Sequence, residues 1–179
     1  MYEKDKKSQE YLKKKFDKIN NIFVLERINK NDLFDFIVAT DVIEHINDDE
    51  TVIKILFNAL KKDGNILLTV PAYNFLYNER DKLIGHFRRY NNKMLKNLTK
   101  EYFKIIKLSY YNFFLFPLSL ILFVMIKIIK IKSFITSAEK TPNSILNNFL
   151  YRIFSSERFF LKYINFPFGN SIVCLAKKI

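Results

Sequence analysis

The chain has 179 residues, a formal net charge of +12 and a single cysteine, Cys174. This length suits one domain that buries roughly 70% of its unfolded surface. An internal disulfide is excluded, and two histidines with that one cysteine are too few to predict a metal cluster. Lys, Asn, Ile, Phe and Tyr are all used heavily, as under an AT-rich coding bias, so the charge reads first as a solvated basic surface. No nucleic-acid partner is expected, because no recognisable binding motif accompanies the charge. No apolar segment near the start resembles a secretion signal, which favours a reducing, cytoplasmic setting.

In chain order, "SQEYLKKKFDKI" (8–19) places Leu12, Phe16 and Ile19 on one helical stripe, and "NIFVL" (21–25) reads as a short strand. Phe36, Ile37, Val38 and Ala39 form a continuous apolar run, which predicts a parallel strand covered on both faces. A helix is predicted next, because Val52, Ile53, Leu56, Ala59 and Leu60 keep to one side and Asn47, Asp48 or Asp49 can cap it. Gly64 is expected to close that helix in a left-handed conformation before a second buried strand, "NILLTV" (65–70). Such a βαβ unit leaves Thr40 to His45 and Pro71 to Asn74 at the carboxyl ends of its strands, where open α/β sheets bind ligands. A long loop (71–90), a short helix carrying Met94, Leu95 and Leu98, and a strand from "YFKIIKLSYY" (102–111) follow. No charged residue occurs from Ser109 to Ile126, and "GNSIVCLAKKI" reads as a last strand after a turn at Gly169.

The stretch "FDFIVATDVIEHINDDETVIKILFNALKKDGNILLTVPA" resembles the middle of class I S-adenosylmethionine-dependent methyltransferases, in which an "EH" pair follows the fourth strand and an "LKPGG"-like turn precedes the fifth. "DKLIGHFRRY" resembles the "GHxRRY" signature that a subgroup carries after the fifth strand, and "PFGNSIVCLAKK" is similar to the family's last, antiparallel strand. The resemblance implies an α/β fold with a three-layer Rossmann-like sheet and an apolar helical insert before the last strand. The chain then divides into a partial core (1–110), the insert (111–168) and the last strand of the core (169–179). Lys62 and Asp63 stand where the family often has proline and glycine. A larger departure is that the family opens with a GxGxG loop and a second strand whose terminal acid holds the cofactor ribose, while the only glycines here are Gly64, Gly85 and Gly169. The resemblance therefore implies an N-terminally truncated methyltransferase, through a split gene, a wrong start or decay, or one whose missing strands come from a partner chain. A non-catalytic membrane-peripheral or scaffolding remnant is the alternative.

Site residues follow from the same resemblance. S-adenosylmethionine is the implied cofactor, with Glu26 near its adenine and Asp41 and Val42 lining its methionine end. Glu44 and His45 are read as orienting the loop through hydrogen bonds. His86 is the candidate catalytic residue, because a histidine of ordinary pKa, about 6.5, can take a proton from an acceptor near neutral pH. Arg88 and Arg89 offer planar forks for an anionic acceptor, and Tyr90 joins them as a substrate-binding candidate; the competing reading of the arginines is an ion pair with Asp81 or Glu79 that pins the loop. The uncharged run contains Pro117 and is at the short end of a bilayer-spanning length, so a helical insert lying on the inner face of the membrane is expected instead. Phe113, Phe114, Phe116, Leu120 and Phe123 would enter the interface, with Lys127, Lys130 and Lys132 toward anionic head groups. A packed lid or dimer surface is the other reading.

Overall fold

The computed structural model describes residues 6–19, 33–129 and 143–179. "NIFVL", Glu26, Lys130 and Lys132 lie outside the described residues. Helix α1 (Lys6–Phe16) ends before Ile19, the last residue of the predicted stripe. The βαβ unit forms as the sequence suggests: β1 (Phe34–Thr40) pairs parallel with β2 (Leu60–Pro71) through helix α2 (Asp49–Asn58). Asp48 caps α2, its Oδ1 accepting from the Thr51 N–H at 3.0 Å. Helices α3 (Glu79–Leu83) and α4 (Asn92–Thr99) follow, then β3 (Phe103–Tyr111), α5 (Phe116–Ile129), α6 (Ser144–Leu161) and β4 (Ser171–Lys178). The last strand inserts between β2 and β3, antiparallel to both, giving the order β1-β2-β4-β3.

Cross-strand partners share a face, so the register sorts the sheet's residues into two sets. Ala39, Leu68 and Cys174 form one row, with Ile66, Val70, Ile172 and Ala176 on the same side. Those residues are buried under Ile53 and Leu56 of α2 and Leu95 of α4. Each large side chain removed from water there contributes about 1.5–3 kcal/mol. The opposite face carries the row Val38, Leu67 and Leu175. At its β3 end it is covered: Lys107 Nζ donates to the Ile164 carbonyl at 3.1 Å, Ser109 Oγ accepts from the Phe166 N–H at 2.8 Å, and the Tyr111 and Phe154 rings meet at 6.4 Å. This α6 side is the third layer. At the β1 end the same face is open, with Phe36 49% and Val38 56% exposed. The expectation of a strand covered on both faces is corrected here: helices α2 and α4 cover only one. Among the described residues β1 pairs with β2 alone, and none of them pairs with its other edge.

The turn at "LKKDG" also differs from expectation. Strand β2 begins at Leu60, and Asp63, not Gly64, is left-handed (φ 65°). Residues 61 to 64 bulge between the pairs Phe34↔Leu60 and Phe36↔Asn65. Asp tolerates this conformation better than most residues. Gly64 is needed for a different reason, since a Cβ there would lie 3.0 Å from the Lys61 carbonyl oxygen and 3.2 Å from that of Asp35.

The uncharged run is split between two elements. Ser109 to Tyr111 close β3, and Pro117 falls in the first turn of α5, where its missing N–H has no helical partner to lose. Phe113 and Phe116 are not surface residues as predicted: Phe113 stacks on Phe166 at 4.7 Å and Phe116 is buried. Glu157 of α6 is buried and accepts from the Phe114 N–H at 2.8 Å, which ties α6 to the entry of α5. Gly169 lets the returning chain pass against β3, because a Cβ there would sit 2.3 Å from the Tyr111 carbonyl oxygen. No helix among the described residues is long and apolar enough to cross a membrane.

Candidate active site

Strands β1, β2 and β3 run parallel to one another, so their carboxyl ends meet at one edge of the sheet. Just past each end stands a non-glycine residue with a left-handed backbone: Asp41 (φ 52°), Tyr73 (φ 61°) and Asn112 (φ 57°). Such conformations cost about 1–3 kcal/mol each and concentrate where a site must be shaped. Asp41 is held there by Thr69, whose carbonyl accepts the Asp41 N–H at 3.0 Å while its Oγ1 lies 3.2 Å from Asp41 Oδ1. Asp41 and Val42 are both exposed, at the position the sequence assigned to the cofactor's methionine end. Tyr73 stacks on Tyr110 at 5.1 Å, and burial together with the Tyr110 hydroxyl pushes its own hydroxyl up to about 12. Burial, reinforced by the Asp41 carboxylate, also raises Tyr111.

The "GHFRRY" segment wires the loop after β2 back onto the sheet and α2. Tyr90 is almost fully buried; its N–H donates to Pro71 O at 2.9 Å, its carbonyl accepts from Tyr73 N–H, and its hydroxyl donates to Asp49 at 2.7 Å. Burial, with the neighbouring Asp49 carboxylate, raises that hydroxyl far above its ordinary value. Arg88 reaches the same Asp49 carboxylate at 2.7 Å and donates to the Asn47 carbonyl at 2.6 Å. Arg89 Nε and His86 Nδ1 both lie 2.9 Å from Asp81 Oδ1, and the Asn78 N–H donates to Oδ2 at 2.9 Å. Burial opposes ionisation of Asp81, but Arg89, Asn78 and His86 outweigh it and hold the carboxyl below its usual range. An ionised Asp81 only accepts, so His86 carries its proton on Nδ1 and turns Nε2 inward.

That nitrogen faces Glu44 at 3.8 Å, with the His45 ring edge-on at 4.6 Å between centroids. Glu44 is fully buried and neither carboxylate oxygen has a hydrogen-bond partner. Burial, with Asp41 adding to it, pushes its pKa up to about 7. Of the residues singled out from the sequence, Asp41, Val42 and His86 gather at this edge, while Arg88, Arg89 and Tyr90 point onto internal acids. The competing reading of the arginines holds for Arg89, which pairs with Asp81; what sequence reasoning missed is Asp49 as the partner of Arg88 and Tyr90, and the burial of Glu44. Two adjacent arginines in one ordered loop were the available signal, because each needs a partner once it leaves water.

A family model described as "Methyltransferase domain" matches residues 2–106. The chain belongs to that methyltransferase family. No curated protein matches it in sequence. Among solved structures, a candidate sarcosine dimethylglycine methyltransferase from Galdieria sulphuraria aligns at TM-score 0.59 and 16% identity, over 98% of this chain and 68% of that one. The N-methyltransferase NodS from Bradyrhizobium japonicum WM9, solved with S-adenosyl-L-homocysteine, aligns at 0.50 and 13%, over 60% of this chain. The [4+2]-cyclase SpnF aligns at 0.54 and 10%, over 99% of this chain and 65% of its own. At such identities the likeness is one of fold, and SpnF shows that this fold also carries other chemistry. The aligned part amounts to 55% of NodS, so this methyltransferase chain spans about half of that relative.

Proposed function

We propose that these residues form the acceptor side and methionine end of an S-adenosylmethionine-dependent methyltransferase that acts on a membrane-linked or anionic acceptor. The observation that carries the reading is the family match over residues 2–106, with Asp41, Val42 and His86 brought to one edge of the sheet. When bound, S-adenosylmethionine supplies a methyl group already activated on a sulfonium, so positioning the acceptor is most of the protein's task. The described residues fit the methionine end, at Asp41 and Val42. They do not fit the adenosine, because the chain's three glycines stand singly and none forms a close-approach loop. That grip comes from elsewhere, through a companion segment or chain laid along the edge of β1 that no described residue pairs with. Asp81 fixes His86 through Nδ1, which leaves Nε2, beside Glu44, as its working nitrogen.

Chain purified from its native cells, so that any companion polypeptide comes with it, should pass label from methyl-labelled S-adenosylmethionine into a membrane extract. His86→Ala should lower that incorporation at least tenfold. Absence of transfer from an S-adenosylmethionine-binding preparation would end the proposal. The rival reading, a scaffolding remnant without catalysis, is favoured by one observation: Arg88, Arg89 and Tyr90 are already occupied by Asp49 and Asp81. Cofactor binding without label transfer is the result that would select it.

The membrane part of the proposal rests on α6. Its outward residues include Ile145, Phe149, Tyr151, Phe159 and Phe160, with Tyr163 just beyond, and its one acid, Glu157, is turned inside. Arg158 lies over the Phe159 ring at 4.8 Å and Lys162 over Tyr163 at 5.4 Å, a mixture of cations and aromatics suited to an anionic interface. The exposed Leu118, Ile121, Leu122, Val124 and Met125 of α5 add apolar area. Vesicles with anionic lipid should float the protein, and neutral ones should do so weakly. Replacing Arg152, Arg158 and Lys162 with Glu should weaken anionic binding by at least about 1 kcal/mol for each cation that reached the surface. Equal flotation of the triple variant would show that α6 faces something else.

A further inference from the structure

We propose that Glu44, His45 and His86 form a binding site for one divalent transition-metal ion, of the zinc or cobalt kind, with water or an acceptor oxygen as its remaining ligand. Among the described residues these three make the one group of histidine, cysteine or carboxylate side chains gathered closely enough to hold an ion, each offering an atom within 4.8 Å of the others. The composition had argued against a metal site. The fold brings both histidines of the chain together, from the turn after β1 and from the loop after β2.

Three observations point to an ion. The first is Glu44, whose two carboxylate oxygens are buried and have no hydrogen-bond partner. A carboxylate in that position is costly unless something cationic satisfies it. The second is spacing: His86 Nε2 and Glu44 Oε1 are 3.8 Å apart, too far for a hydrogen bond. Two ligands each about 2.0–2.1 Å from a tetrahedral zinc stand roughly 3.4 Å apart, so a small side-chain rotation closes the pair on an ion. The third is Asp81, which takes the Nδ1–H of His86 at 2.9 Å and is itself anchored by Arg89. That carboxylate–histidine arrangement fixes the tautomer that presents Nε2 to a metal. His86 is only 10% exposed in its side chain, whereas His45 is exposed, so the ion would enter past His45 and keep one open position.

Two imidazoles and one carboxylate suit zinc, cobalt or nickel better than magnesium or calcium, which prefer oxygen ligands alone. A metal at this point would take over the proton-accepting task assigned to His86 from sequence, since a metal-bound water or hydroxyl loses its proton near neutral pH. That use rests on the methyl-transfer reading. The binding does not.

Cobalt is the probe, because its visible absorption reports inner-sphere ligands. Chain carrying no polyhistidine tag and stripped with a chelator should take up one Co2+ per molecule with visible bands, and Zn2+ should displace it. Cys174 is fully buried and will not compete. Glu44→Gln and His86→Gln should each weaken binding at least tenfold. His45→Ala, at an exposed position, should do so with an unchanged circular dichroism spectrum, so a misfolded variant cannot imitate the result. Absence of saturable Co2+ uptake by the wild type, or wild-type affinity in His45→Ala, overturns the site. Because the titration contains no S-adenosylmethionine, its failure is distinct from failure of the methyl-transfer reading.

Discussion

Calorimetry with the purified 179-residue chain should show S-adenosylmethionine and its homocysteine product binding no more tightly than about millimolar. A millimolar site is worth about 4 kcal/mol, and micromolar binding would require a thousandfold more. The methionine end has Asp41 and Val42 to meet it, both at the exposed carboxyl end of β1. The adenosine needs backbone in close approach, and only unsubstituted glycines in sequence allow that. Here Gly64 sits against the Asp35 and Lys61 carbonyls, Gly85 lies in the loop beside His45, and Gly169 passes Tyr111. They stand in three separate places along the chain, so no two of them build a GxGxG loop. Micromolar binding by the chain alone would sink the proposal that the adenosine grip comes from elsewhere.

Asp81→Ala should cost the fold about 3–5 kcal/mol, the range for removing one partner of a buried ion pair. Asp81 is 1% exposed, and its loss strands Arg89 Nε, leaves His86 Nδ1 without an acceptor and breaks the capping box of α3 at Asn78. The control is Lys61→Ala, which breaks the Lys61–Asp35 pair between side chains 50% and 84% exposed and should hardly move the transition. Urea unfolding of both variants gives the comparison. Equal midpoints for the two would mean that the "GHFRRY" loop is held by its backbone alone. Asp81→Asn, which keeps an acceptor and loses the charge, should fall between them.

How much of this was legible in the sequence depends on the range of the interactions. The βαβ unit was legible because each of its signals is local: an apolar run for β1, a helical stripe and an acidic cap for α2, and a second apolar run for β2. The likeness to class I methyltransferases rested on two short motifs, and the family match over residues 2–106 bears out the family. The stretch "LKKDG" was read as a helix end closed at Gly64, with the strand starting at Asn65, because local pattern cannot tell a bulge from a helix end; β2 starts at Leu60, and pairing with β1 decides it.

The site was less legible. The sequence by itself placed His86, Asp41 and the two arginines in loops at the ends of strands, and offered Asp81 as a partner only as the competing reading. Pairing over 41 positions, as in the hydrogen bond from the Tyr90 hydroxyl to Asp49, leaves no periodic trace. The same holds for Glu44, written in an acidic cluster that suggests water on all sides but fully buried once the loop after β2 folds over it. Phe36 and Val38 show the converse error, since an apolar run states that a strand can be covered and only the packed helices decide which side is. Secondary structure here followed from neighbours in sequence. Burial, which raises the Glu44 carboxyl and leaves one face of β1 open, followed from which distant segments the fold laid on top, as did the Asp81 contact that orients His86.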